Sequence, residues 1–190
     1  MPSAALAYWT ADRTAGLDDI HAQCAAGLIS TAPNARLADE NLRGYVMLVS
    51  AHFQGFCRDL HTECVQILSA DPTLRPEVQA VIQFQSLAGR DLDGGNPRFE
   101  ALRNDFNRFD LDLTAALAAD PANAVRVTLL GHLNVWRNYV AHYKDTPPSQ
   151  GGPFTLPTAR AWQQACAGLA AELDRIIYDK LQTILKAPPW

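Results

Sequence analysis

The feature that most constrains the fold is a long helical repeat of apolar residues over about 37–70. Apolar side chains recur there at i, i+3, i+4 and i+7, which is typical of an amphipathic helix with one buried face. Asp71-Pro72 ends the helix, because a proline disfavours the α conformation for the residue before it. A stripe of this length needs other helices to cover it. Its members are Leu42, Tyr45, Val46, Val49, Phe53, Phe56, Cys57, Leu60, Cys64, Ile67 and Leu68.

The rest of the chain has the same periodicity, and the alternation typical of strands is almost absent. Asn96 and Asp120 each precede a proline, which predicts two N-caps with proline at the first helical position, and Thr158 is the predicted cap of the last helix. The sequence therefore predicts an all-α bundle of five to six helices, forming a single domain over residues 1–190. The further predicted helices span about 3–30, 76–89 with Val78, Val81 and Ile82 inward, a Phe-rich segment from Pro97 to Leu113, 121–144, and 158–186.

Length and composition fit one globular domain: 190 residues, 48% hydrophobic and 19% charged. No apolar run approaches the roughly 18 residues that a bilayer-spanning helix needs. The segment "MPSAALAYWTADR" lacks the basic and apolar regions of a secretory signal. We therefore expect a cytoplasmic protein with no membrane segment.

Cysteines stand at positions 24, 57, 64 and 166, each within an apolar helical pattern and without a C-x-x-C pair. They are expected to be reduced core residues rather than a disulfide framework. Two H-x-x-C pairs, His21/Cys24 and His61/Cys64, are the alternative, since together they contain four zinc ligands. That reading needs two helices in register, so we expect no metal and no cofactor.

The charge is unevenly distributed. The formal net charge is −4, yet residues 121–144 contain Arg126, Arg137 and Lys144 and no Asp or Glu. On a helix with Arg137 at 0°, the apolar residues cluster near 260–320°, while Asn134, Asn138 and His142 fall at about 60, 100 and 140°. The sequence predicts a polar strip opposite the core, where an unpaired guanidinium can bind an anion. A plain solvent-facing surface is the alternative.

The segment Arg137-Asn138-Tyr139-Val140-Ala141-His142 has the form R-x4-H with a polar residue after the arginine. It resembles the signature of the HEPN superfamily, whose members are all-α domains with this motif late in the chain. The segment "GYVMLVSAHFQGFCRDLHTECVQIL" resembles the early long helix of HEPN domains found near toxins and restriction systems. The likeness is closest in character to the RiboL-PSP-HEPN and toxin-type ribonucleases.

The resemblance implies a HEPN-like bundle and a metal-independent endoribonuclease, acting as a homodimer whose two motif helices meet at a cleft. His142 would assist attack of the RNA 2′-OH, Arg137 would stabilise charge on the phosphoryl oxygens, and Asn138 would orient His142 or donate to phosphate. The expected products are a 2′,3′-cyclic phosphate and a 5′-hydroxyl.

Other polar residues are candidates for a supporting role. For two of them, Arg58 and Asp59, a surface ion pair is the favoured alternative. In HEPN toxins paired with nucleotidyltransferase antitoxins, a tyrosine that can be modified stands two places after the histidine. Here Lys144 occupies that place, so we do not predict modification of Tyr143. The supporting candidates are Asn134, Tyr143, Lys144, Arg58 and Asp59.

Two hypotheses follow. The first is an RNA endonuclease of toxin or anti-phage type, with RNA as substrate and an antitoxin or regulatory protein as a possible partner. The second is a catalytically inactive HEPN-like module that dimerises and binds a nucleotide or a protein. The loop 145–158 is read as a connector, with a gate over the site as the alternative.

Overall fold

The structure, a computed structural model, describes residues 1–28, 34–70, 72–142 and 146–190. Within these ranges it contains helices and no strands, which confirms the predicted all-α bundle. Short 3₁₀ turns at Asp91–Asp93 and Asn107–Phe109 flank the fifth helix. The helices are α1 (Ala4–Tyr8), α2 (Thr14–Leu28), α3 (Ala35–Ser69), α4 (Pro76–Leu87), α5 (Phe99–Phe106), α6 (Leu113–Leu117), α7 (Ala122–His142) and α8 (Leu156–Leu185).

The long stripe lies on α3, as predicted, and α3 is the helix around which the others assemble. Asn34 caps its first turn by accepting a hydrogen bond from the Leu37 amide at 3.1 Å. The helices α2, α4, α7 and α8 all pack against it. Tyr45, Phe53 and Phe56 are fully buried in the resulting core, where each aromatic side chain contributes a large apolar area.

The predicted first helix contains an interruption that periodicity did not indicate. A π-helical turn, Trp9–Arg13, separates α1 from α2. It directs Trp9 onto Phe53, with ring centroids 6.0 Å apart, and lays the Arg13 guanidinium across Gly55. A Cβ at Gly55 would stand 3.0 Å from that guanidinium, so the glycine lets the arginine lie directly against α3.

Two predicted caps are wrong. Asn96 does not cap α5, which begins at Phe99 with Arg98 as its N-cap residue and no side-chain cap. Thr158 lies within α8, and Thr155 caps that helix instead by accepting from the Thr158 amide. Asp120 acts as predicted, since its Oδ1 accepts from the Ala122 amide at 2.9 Å.

The Phe-rich segment forms two short helices instead of one. After α5 and its 3₁₀ turn, Asp110 adopts a left-handed conformation with φ of 55°. Asp112 then caps α6 by accepting from the Ala115 amide at 3.0 Å. Phe106, Phe109 and Leu113 are all buried in the core on the two sides of this break.

The helix α4 is more exposed than predicted. None of its residues is buried, and Val81, expected to point inward, is 58% exposed. Its C-terminus is held by Arg108, whose Nη1 donates to the carbonyls of Ser86 and Ala88 and whose Nη2 donates to Gly89. A guanidinium on the last carbonyls complements the negative end of the helix dipole.

The prediction of reduced core cysteines is confirmed, because all four are free and buried. His61, from one H-x-x-C pair, is fully buried with its Nε2 3.2 Å from the Asp105 carbonyl. His21, from the other, lies with its ring 5.8 Å from that of Tyr45. Among the described residues, His, Cys, Asp and Glu form no group of three or more that could hold a metal ion.

No helix within the described ranges combines the length and the apolar character that crossing a membrane requires.

Candidate functional site

The R-x4-H residues occupy the last turns of α7. Arg137 and Asn138 are half-buried and His142, the final residue of the helix, is exposed. The Nη1 of Arg137 lies 3.4 Å from the Oδ1 of Asn138. Two predicted supporting residues, Tyr143 and Lys144, lie outside the described residues.

The polar strip predicted opposite the core is wrong for Asn134 and for Arg137. Leu130 and Asn134 are both buried, and they lie about 20° and 60° from Arg137 around the helix. The buried arc is wider than the apolar stripe because α7 packs on α3 and α8 along one side and on α5 along another. Arg137 therefore lies on the core-facing side of α7 and is only half-buried there, whereas His142 lies on the outer side.

Asn134 is a structural residue that ties α7 to the start of α5. Its Nδ2 donates to the carbonyls of Pro97 at 3.2 Å and of Leu130 at 2.9 Å. Only 6% of the residue is exposed. These hydrogen bonds pair the buried NH₂ group of Asn134, while its Oδ1 is buried without a partner among the described residues.

Asn96 is a site residue that sequence reasoning missed. It is 8% exposed, and its Nδ2 lies 2.6 Å from the Oδ1 of Asn138. Asn138 is thus in contact with both Arg137 and the segment before α5. The signal available in the sequence, Asn before Pro, predicted a helix cap, and nothing local distinguishes a cap from a contact to another helix.

Among the described residues, the site is rich in hydrogen-bond donors and has no carboxylate paired with them. Most arginines of the chain form ion pairs, yet Arg137 has no Asp or Glu partner in the described part of the chain. Asn138 Nδ2 and the His142 ring likewise have no acceptor among the described residues. Donors without acceptors, one of them permanently charged, are suited to binding an anion such as phosphate.

The exposed face of α7 carries no Asp, Glu, Lys or Arg along its whole length. Solvent-facing helix positions are usually filled by such residues. Four of the exposed residues lie within about 60° of one another around the helix and continue to His142. We call these four the uncharged stripe: Ala124, Thr128, Gly131 and Val135. A Cβ added at Gly131 would meet nothing within 4 Å, so this face is open to a close approach.

Arg58 and Asp59 are not brought together with the motif by any contact. Arg58 Nε forms an ion pair with Asp93 at 3.0 Å, and Asp59 pairs with Arg13 at 2.5 Å. Both carboxylates and the Arg58 side chain are substantially exposed, so each pair contributes little to stability.

The connector before α8 is anchored beside the motif. Phe154 stacks on Trp136 with centroids 4.7 Å apart. Gly151, at φ of 94°, lies against the same indole, and a Cβ there would come within 2.8 Å of its Nε1. The described part of the connector, from residue 146, is therefore packed against α7 on the side of Trp136.

Two cavities lie at the end of the bundle where α2 meets α8. One, of about 410 Å³, is lined mainly by apolar residues including Leu42, Phe154 and Leu156. The other, of about 520 Å³, includes His21 and Arg160. Neither cavity is lined by a residue of the R-x4-H segment.

No family model, curated protein or solved structure matches this chain.

Proposed function

We propose that this chain is a metal-independent endoribonuclease of the toxin or anti-phage type, related in design to the HEPN ribonucleases that its motif resembles. The observation that carries the proposal is the donor set at the end of α7. Arg137 is held by Asn138 without a carboxylate partner in the described part of the chain, and His142 is exposed one turn beyond. Such a set can bind a phosphodiester and supply an imidazole for proton transfer.

The proposed site needs two copies of the chain. Arg137 and His142 are about 140° apart around α7, so one copy presents them on different sides of the helix. A second copy that packs on the uncharged stripe would bring its own motif to the same cleft. The lack of charge on this face favours such packing, because burying unpaired charges at a contact would be costly.

In the proposed reaction the RNA supplies its own nucleophile. The 2′-oxygen attacks phosphorus while His142 of one copy takes the 2′-hydroxyl proton, and the bond from phosphorus to O5′ breaks. The leaving O5′ receives a proton from His142 of the second copy, which starts as the imidazolium and ends as the neutral imidazole. Arg137 and Asn138 donate to the phosphoryl oxygens as their negative charge grows. The products are a 2′,3′-cyclic phosphate and a 5′-hydroxyl.

The test is to incubate the purified protein with RNA in EDTA, beside the variants Arg137→Ala and His142→Ala. We expect cleavage by the wild type and loss of about two orders of magnitude or more in each variant. Arg36→Ala is the matched control, since Arg36 is an exposed arginine with no ion pair among the described residues. Equal activity in all four proteins would assign the cleavage to a contaminant and refute the proposal.

One observation favours the second candidate, an inactive module that dimerises and binds a nucleotide or protein. Within one copy, the half-buried Arg137 is paired with Asn138 and forms no hydrogen bond or ion pair with an acid–base group among the described residues. This arrangement suits anion binding without catalysis. Absence of cleavage for every RNA tried, together with Arg137-dependent binding of a nucleotide, would support this candidate over the nuclease.

A further inference from the structure

Asn138 receives two hydrogen-bond contacts at one end of its side-chain amide. Arg137 Nη1 lies 3.4 Å from that end, and Asn96 Nδ2 lies 2.6 Å from it. A guanidinium has only N–H donors and can accept nothing. The end of the Asn138 amide that faces Arg137 must therefore be the oxygen, and the end of Asn96 that faces the same oxygen must be its nitrogen.

This polarity determines where the remaining amide groups point. With its oxygen occupied, Asn138 turns its NH₂ group away from Arg137 and Asn96, and that group has no acceptor in the described part of the chain. Asn96 is oriented in turn with its Oδ1 inward, where the atom is buried and lacks a donor among the described residues. A buried acceptor without a partner costs free energy, so the contacts of the Asn138 oxygen with Arg137 and Asn96 must outweigh that cost.

Two hydrogen bonds hold the backbone segment that contains Asn96 in place beside α7. The Arg98 amide donates to the Asn96 carbonyl at 2.7 Å, which closes a tight turn over 96–98. Asn134, one turn before Asn138 on α7, donates to the carbonyl of Pro97 in that turn at 3.2 Å. Asn134 and Asn138, on successive turns of α7, thus both bond to the segment 96–98, and Asn96 is buried there.

We propose that Asn96 is a positioning residue for the anion site. By occupying the oxygen of Asn138 together with Arg137, it fixes the Asn138 NH₂ group as an outward donor and keeps the Arg137 guanidinium beside it. Its contribution to catalysis rests on the proposed nuclease function, but the orientation of the amides does not.

The orientation is tested by hydrogen exchange of the side-chain amides, measured by NMR on the full chain. One Asn96 Nδ2 proton should be protected, the Asn138 NH₂ protons should exchange rapidly, and Asn96→Leu should leave the Asn138 protons rapid. Protection of an Asn138 Nδ2 proton in the wild type would show that the NH₂ group of Asn138, and not its oxygen, faces Asn96, and would overturn the proposal. This measurement does not depend on enzymatic activity.

The positioning role is tested by cleavage kinetics. Asn96→Leu should lower kcat about tenfold or more with little change in KM, because misplaced groups reduce the rate more than they reduce binding. Asn104→Leu is the matched control, since Asn104 is an exposed asparagine that bonds Asp91 instead of α7. A kcat for Asn96→Leu equal to that of the wild type would refute the role. If the wild type cleaves no RNA, the nuclease proposal and Asn96's part in catalysis both fail, and the exchange pattern still decides the orientation.

Discussion

His61 makes a specific prediction about stability, because it is a histidine enclosed in the core. It is fully buried, its ring lies 5.5 Å from Phe106 and 4.8 Å from Phe109, and its Nε2 contacts the Asp105 carbonyl. Burial, with the positive charge of Arg90 adding to it, lowers the pKa of His61 to about 4. Its Nδ1 is buried and has no hydrogen-bond partner among the described residues, so protonation would create a donor without an acceptor there.

The direction of the effect follows from the two states of the chain. In the unfolded chain His61 binds a proton as the pH falls through about 6.5, whereas in the fold it stays neutral until about 4. Stability from this residue is therefore complete above pH 6.5 and lost as the pH falls toward 4. The full difference amounts to about 3 kcal/mol, of which about 1 kcal/mol is lost between pH 7.5 and 5.5.

The assay is urea unfolding of the wild type and His61→Gln at pH 7.5 and 5.5. Glutamine keeps an N–H donor for the Asp105 carbonyl and does not titrate. We expect the free energy of unfolding of the wild type to fall by about 1 kcal/mol more than that of the variant over this interval. Equal losses in the two proteins would mean that His61 is not held neutral and would refute the reasoning.

Two further predictions concern the outer face of α7 and the end of α4. By light scattering at micromolar concentration, the wild type should be a dimer and the Val135→Arg variant a monomer. The control is Val125→Arg, which should remain a dimer because Val125 is exposed but lies outside the uncharged stripe. A monomeric wild type would contradict this prediction. The Arg108→Gln variant should exchange its backbone amides faster throughout α4, and its free energy of unfolding should fall by about 1–2 kcal/mol. The reason is that four carbonyls at the C-terminal end of α4 lose a charged hydrogen-bond donor. Unchanged exchange in α4 would contradict this prediction.

Much of the fold could be predicted from the sequence because helical periodicity is a local property. The stripe on α3 and the burial of the cysteines follow from residues spaced three and four apart. The wrong predictions fall where a local sequence pattern competes with contacts to residues that are distant in sequence. An Asn-Pro pair predicts a cap even where, as at Asn96, the side chain contacts another helix. The π turn at Trp9–Arg13 accompanies the contact of Trp9 with Phe53 and Phe56, which are distant in sequence.

By itself, then, the sequence determined an all-α chain with an R-x4-H segment on a helix free of acidic residues. Only the tertiary structure decided that Asn134 is buried, that Arg137 lies on the core-facing side, and that Asn96 contacts Asn138. The reason is that these contacts join residues 37 and 42 positions apart, far beyond a helical turn. Which arc of α7 is buried depends on the helices that pack around it, and no periodicity within α7 specifies them.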